Sequence, residues 1–147
     1  MKHILGIAVT FLSLNITFAQ DVPLSQVPKK VRDSFASEFK STNANWSKED
    51  DGYEASFKKD GKELSLVFDV DGQLIERETE IVKTELPSVV SDFISKNYPG
   101  FKYEEIAKIE SKKGNFFEIE IAKKDSQYEL IFDSQGLIEK KVVDDKD

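Results

Sequence analysis

Leu64-Ser65-Leu66-Val67-Phe68-Asp69-Val70-Asp71-Gly72-Gln73-Leu74-Ile75 decides how this chain is read, because most of it returns as Leu130-Ile131-Phe132-Asp133-Ser134-Gln135-Gly136-Leu137-Ile138. Both stretches run an alternating apolar segment into Phe-Asp-x-x-Gly and follow it with an apolar pair. Working outward, Ser25-Gln26-Val27-Pro28 with Val31 and Phe35 matches Thr84-Glu85-Leu86-Pro87 with Val90 and Ile94, and Phe39 matches Tyr98. Tyr53-Glu54-Ala55-Ser56-Phe57 matches Phe117-Glu118-Ile119-Glu120-Ile121. Self-similarity of this length marks a duplicated supersecondary unit. Phe117 stands 18 residues after Pro99, whereas Tyr53 stands 13 after Lys40, so the second copy carries five extra residues in a connection or early hairpin.

Each copy begins with helical spacing. Val27, Val31, Phe35 and Phe39 recur every four residues, leaving Lys29, Lys30, Arg32, Asp33 and Glu38 outside. In the second copy Leu86, Val89, Val90, Phe93, Ile94 and Tyr98 form the apolar stripe, and Tyr98-Pro99-Gly100 ends it. Ser25 and Thr84 are placed to cap these helices, with Pro28 in the first turn, where a missing N–H costs nothing.

The period then switches to two. Strands are predicted around Asn45 to Ser47, Tyr53 to Lys58, Leu64 to Phe68 and Leu74 to Ile81, with turns at Asp50-Asp51-Gly52, Lys59-Asp60-Gly61-Lys62 and Asp69 to Gly72. The second copy repeats them at Glu105 to Ser111, Phe116 to Lys123, Gln127 to Phe132 and Leu137 to Val142. The expected fold class is α+β, a tandem repeat of one helix packed on a four-stranded antiparallel sheet. The repeats would span residues 20–82 and 83–143, and the acidic tail 144–147 should fray.

Lys2 and His3 precede an apolar run, Ile4 to Phe18, which ends at Thr17-Phe18-Ala19. Residues 1–19 read as a cleavable signal peptide, too short for a membrane span, with small residues where a peptidase cuts; cleavage is expected after Ala19, with Gln20 as the alternative. This places the mature chain in the periplasm or outside the cell, without a membrane span. The chain has no cysteine, so neither a disulfide nor a lipid anchor on cysteine holds it.

The formal net charge of -7 argues against nucleic acid and anionic membranes as partners. The single histidine is His3, so the mature chain has neither histidine nor cysteine. Imidazole bases, thiol nucleophiles and the usual zinc, copper and haem ligand sets are thereby excluded. No nucleophile-elbow, phosphate-loop or Ser-x-x-Lys motif is present, so an enzyme is not expected, and neither is a cofactor. Asp69-Val70-Asp71-Gly72 opens like a calcium loop, but Leu74 to Arg77 runs straight into a strand, and a hairpin turn is the preferred reading. Glu118 and Glu120 lie two apart on one strand face, a solvated pair rather than a glycosidase dyad.

Val27-Pro28, Leu86-Pro87, Tyr98-Pro99-Gly100, Trp46, the aromatic-Glu strands and the doubled Phe-Asp-x-x-Gly turn together resemble the PepSY-like proteins of the β-lactamase-inhibitor-like fold, small exported proteins of the Bacteroidetes type. The resemblance covers essentially all the mature chain. It implies tandem helix-plus-sheet units and a role in gripping or restraining a secreted enzyme. The cysteines of the β-lactamase inhibitor protein are missing, so no binding residue carries over by position.

One helix covers one face of a sheet, which leaves the other face for a partner. The candidate binding residues are therefore Glu54, Ser56, Lys58, Ser65 and Val67 in the first copy, and Phe116, Glu118, Glu120, Glu129 and Ile131 in the second. Phe116, Val67 and Ile131 are apolar residues on the face that alternation calls wet. Trp46 is either core or recognition surface, and Tyr53 is assigned to the core. The expected function is a non-enzymatic exported module that binds a periplasmic or secreted protein, a hydrolase among the possibilities, through exposed sheet faces. The alternative is a small-ligand or cation (calcium) sensor.

Overall fold

Pro28 and Pro87 fix where the helices start. Each has a backbone turned into the extended region, with φ -54° and ψ 143° for Pro28 and φ -57° and ψ 145° for Pro87. Helix α1 (Lys29–Glu38) follows the first and α2 (Ser88–Asn97) the second, in a computed structural model that describes residues 20–50 and 52–143. The predicted signal peptide and acidic tail lie outside the described residues, as does Asp51 of the first predicted turn.

The caps differ from expectation. Ser25 and Thr84 lie in short 3-10 turns, Leu24–Gln26 and Lys83–Glu85, and neither helix has a side-chain cap. The residue before a proline is driven out of the helical region, so Val27 (ψ 129°) and Leu86 (ψ 140°) are extended and the helix cannot reach back to the serine or threonine. The turn ahead of α2 is instead closed by the Val82 N–H donating to Glu85 Oε2 at 3.0 Å.

The strands are β1 (Gln20–Asp21), β2 (Asn45–Glu49), β3 (Gly52–Lys59), β4 (Lys62–Phe68), β5 (Leu74–Glu80), β6 (Lys102–Ser111), β7 (Gly114–Lys123), β8 (Ser126–Asp133) and β9 (Gly136–Val142). They are hydrogen-bonded in chain order as one nine-stranded antiparallel sheet. This corrects the expected α+β repeat of a helix on a four-stranded sheet: the fold is largely β, with two helices against a single sheet. Two physical features separate them. Gln20 and Asp21 are too few to show a period, yet they pair with Lys48 and Ser47. β5 is an interior strand of the order, so its second edge is used for pairing and not left open, as the end of a free-standing sheet would be.

By its contacts the chain divides into two compact units, the boundary falling between Arg77 and Glu78. In the first unit, Ala55 opposite Leu66 and Phe57 opposite Leu64 set the apolar face of β3 and β4. Val27, Val31, Phe35, Phe39 and Phe68 complete the core. In the second, Ile119 opposite Leu130 and Phe117 opposite Phe132 do the same, against Leu86, Val90 and Ile94. Leu66 and Leu130 are wholly buried, each contributing roughly 1.5–3 kcal/mol of transfer free energy. The five extra residues of the second copy lengthen one hairpin: β6 and β7 have 10 residues each, against 5 and 8 in β2 and β3.

The repeated turns are built by their aspartates. Asp69 Oδ1 accepts from the N–H groups of Asp71 (3.0 Å) and Gln73 (2.8 Å), and Asp133 Oδ1 accepts from Gln135 (2.7 Å) and Gly136 (3.1 Å). Asp71 Oδ1 pairs with Lys30 Nζ on α1 at 2.7 Å. The aspartates of the calcium-like motif thus serve a turn and an ion pair. Among the described residues no group of three or more acidic, histidine or cysteine side chains is placed to hold a metal ion, and no helix is long and apolar enough to cross a membrane.

Candidate binding surface

The pairing register sets which residues share the sheet face turned away from the helices. In the first unit Ser47, Glu54 and Val67 form one cross-strand row, and Asn45, Ser56 and Ser65 the next. In the second unit the corresponding rows are Ala107, Glu118, Ile131 and Glu139, then Glu105, Glu120, Glu129 and Lys141. Glu54 and Glu118 occupy the same place in their copies, but they have different neighbours.

Glu54 is only 6% exposed. Its Oε2 accepts from Ser47 Oγ at 3.1 Å, and its Oε1 accepts from Ser56 Oγ at 3.3 Å and from Ser65 Oγ. Three hydroxyls from three strands thus replace the water that burial removes, as a buried carboxylate requires. Glu49, further along β2, shares the Ser47 hydroxyl, its Oε1 lying 3.1 Å from Oγ. Burial and then the neighbouring Glu54 charge push the Glu49 carboxyl up to about 7.

Around Glu118 the hydroxyls are gone. Ala107 stands where the first unit has Ser47, and Glu120 and Glu129 stand where it has Ser56 and Ser65. Ile131 flanks Glu118 across the ladder and Phe116 lies two residues back along the strand. Glu118 Oε2 is buried with no hydrogen-bond partner among the described residues. Burial first, and then the charges of Glu129 and Glu78, push its carboxyl up to about 9, with Lys141 acting in the opposite sense. Glu129, 3% exposed, is held by Lys141 Nζ at 2.7 Å, and Glu120 accepts from Gln127 Nε2. Among the described residues the Tyr103 hydroxyl is also buried without a partner, and Lys83 Nζ lies 4.3 Å from the centre of its ring.

The structure places the predicted residues unevenly. Glu54, Ser56 and Ser65 are brought together around one carboxylate, and Glu118, Glu120, Glu129 and Ile131 lie in two adjacent rows. Lys58 is exposed and pairs with Glu63 at 3.4 Å. Val67 and Phe116 are half-buried. Several expectations are corrected: Glu54 and Glu129, read as exposed, are buried, and Glu118, read as one of a solvated pair, has its Oε2 buried. Trp46 belongs to the core of the first unit, 6% exposed and edge-on to Phe35 at a centroid distance of 5.3 Å. Ile131, read as an exposed apolar, is 0% exposed, and Ala107 and Ile109 on the same face are buried with it. Ser47, Glu49 and Lys141 complete the polar contacts and escaped the sequence reading. Ser47 and Lys141 emerge only once the register puts them opposite Glu54 and Glu129.

The sequence profile of the family described as beta-lactamase-inhibitor-like, PepSY-like matches residues 16–76 and again 73–140. Among solved structures, a DUF2874 family protein from Bacteroides ovatus aligns with a TM-score of 0.69 at 26% identity, over 81% of this chain and 89% of its own. A BLIP-like protein from Bacteroides fragilis aligns at 0.65 and 20% identity, over 86% and 91%. A candidate periplasmic protein from Bacteroides eggerthii aligns at 0.72 and 15% identity, over 79% and 88%. The last two likenesses speak for the fold alone. The chain matches no curated protein.

Proposed function

The chain belongs to the beta-lactamase-inhibitor-like, PepSY-like family, and from that premise we propose that it is an exported, non-enzymatic protein that works by holding another protein against the sheet face away from its helices. A secreted or periplasmic hydrolase is the partner class the family description suggests. The reading takes residues 1–19 as an export signal and the two family matches as a duplicated unit, each contributing one such face.

The observation that carries it is the make-up of that face in the second unit. Half-buried Phe116 is the apolar side chain left partly open there, on the same face as the half-buried Glu118, Glu120, Glu139 and Lys141, an apolar point edged by charge; Ile109, Ile131 and Glu129 are buried and back that face without offering a partner surface. The chemistry left to the mature chain supports binding over catalysis: with no histidine or cysteine, the side chains available on the face are carboxylates, hydroxyls and lysines.

Site-specific photocrosslinking tests it. A benzophenone side chain is placed at Phe116 or Val67 on the proposed face, and at Arg32 or Asp92 on the exposed sides of the helices, in the chain produced in its native envelope. One discrete protein adduct is expected from Phe116 or Val67 and not from the helix positions. Adducts arising only from Arg32 or Asp92, or none at any position, would refute the reading.

A further inference from the structure

In the first unit one hydroxyl stands between two carboxyls. The Ser47 hydroxyl lies 3.1 Å from Glu49 Oε1 and 3.1 Å from Glu54 Oε2, and a serine hydroxyl has one proton to give. Ser56 and Ser65 are both spent on Glu54 Oε1. If both carboxylates were ionised, two like charges would face each other across a single hydroxyl that can donate to one of them, and the half-buried Glu49 would have water alone to replace it.

We propose that Glu49 and Glu54 hold one proton between them, carried on Glu49, and that the face of the first unit gains one negative charge when that proton leaves. The chain of donors then closes: the Glu49 carboxyl donates to Ser47 Oγ, Ser47 donates to Glu54 Oε2, and Ser56 and Ser65 donate to Glu54 Oε1. Every proton has an acceptor. Glu54 is buried and Glu49 is half-buried, so Glu49 is the member that exchanges its proton with water.

The charged groups around the pair favour its retention. Asp50 follows Glu49 in the turn and raises it further. From β1, Asp21 lies opposite Ser47; from β3 and β4, Lys58 and Glu63 neutralise each other at 3.4 Å; from β5, Glu76 falls on this face by alternation with Arg77, which reaches Glu38 on α1 at 2.5 Å. No cation among the described residues pairs with Glu49 or Glu54, so the proton is the positive charge available to them. The displacement of the Glu49 carboxyl to about 7, from burial and then from Glu54, puts its release near neutral pH. The device is therefore a pH-dependent charge on a face proposed to meet a partner, and it exists in the free protein whether or not that partner does.

Carboxyl 13C resonances of the glutamate-labelled mature chain, followed from pH 4 to 9 without any partner, test it. The Glu49 carboxyl is expected to titrate near 7, the near-neutral step is expected to vanish in Glu49→Gln, and Glu54→Gln is expected to return Glu49 toward its ordinary 4.5. Glu49 lies at a half-buried position, so its variant keeps the test available if Glu54→Gln does not fold. Ionisation of Glu49 complete by pH 5.5 in the wild-type chain, or a near-neutral step surviving in Glu49→Gln, would overturn the proposal.

Discussion

Glu118→Gln isolates the energetic consequence of a carboxyl without donors. In the folded chain burial holds the Glu118 proton up to about 9, while the unfolded chain releases it at the ordinary 4.5. Below 4.5 both states carry the proton and the group has no effect on the pH dependence. Between 4.5 and 9 the folded state keeps a proton that the unfolded state has lost, so stability falls as pH rises, by about 1.4 kcal/mol per pH unit. Above 9 both are ionised and the loss is complete. At pH 7 the wild-type chain has therefore lost about 3 kcal/mol of what it had at pH 4.5, a sizeable share of a domain's stability. Glutamine has the same shape and cannot ionise, so the variant escapes that loss. Urea unfolding of both chains at pH 5, 6, 7 and 8, followed by circular dichroism, should show them diverging, with the glutamine variant the more stable at pH 7 by up to about 3 kcal/mol. The other carboxylates titrate in both chains and cancel in the difference. Parallel stability curves across this range would refute the burial argument for Glu118.

Two further perturbations test the packing that positions the faces. Gly72 and Gly61 both have φ above +80°, but a Cβ at Gly72 would lie 2.7 Å from the Lys30 carbonyl oxygen and 2.8 Å from Ser34 Oγ, whereas one at Gly61 would meet nothing within 4 Å. Gly61→Ala should cost about 1 kcal/mol for the backbone alone and Gly72→Ala at least about 2 kcal/mol more, read from denaturant midpoints; equal costs would mean that the turn does not press on α1. Lys141→Ala removes the cation from Glu129, whose side chain is 4% exposed, and should destabilise by about 2 kcal/mol at pH 7, less than for a fully buried pair because the lysine side chain is 37% exposed.

Strand positions were legible because periodicity two survives in short stretches: Tyr53, Ala55 and Phe57 point one way, and the register confirms it opposite Phe68, Leu66 and Leu64. The helices were legible too, though their starts were not, since the extended residue ahead of each proline overrides the capping preference of Ser25 and Thr84. Alternation tells which face a side chain is on and says nothing of how far that face is covered. Ile131 was assigned to the right face with the wrong exposure, and Glu54 looked like one more solvated acid. Its partner Ser47 is seven residues away across a hairpin whose register no composition rule fixes. Trp46 lacked a counterpart in the second copy, so repetition could not decide its side; contact with Phe35 does.

Corresponding positions can keep a side chain while changing what it does, and the two faces show the physical route. At the first, hydroxyls accept the burial of a carboxyl and a second acid, Glu49, brings the surplus proton. At the second, an alanine and two more acids take the place of the serines, and the carboxyl itself must hold the proton. Both arrangements raise a carboxyl above its ordinary range, so in both the folded state binds protons that the unfolded state releases. The resulting slope has one sign: stability contributed by Glu49 is present below 4.5 and is lost as pH rises through about 7, and that of Glu118 is lost on the way to about 9. Acidification from pH 8 toward 5 also lowers the self-repulsion of a chain with net charge -7. The protein should therefore grow more stable on mild acidification, against the usual decline from paired carboxylates such as Asp71, whose salt bridge with Lys30 lowers its pKa and whose contribution is lost only when pH falls below the ordinary carboxylate range.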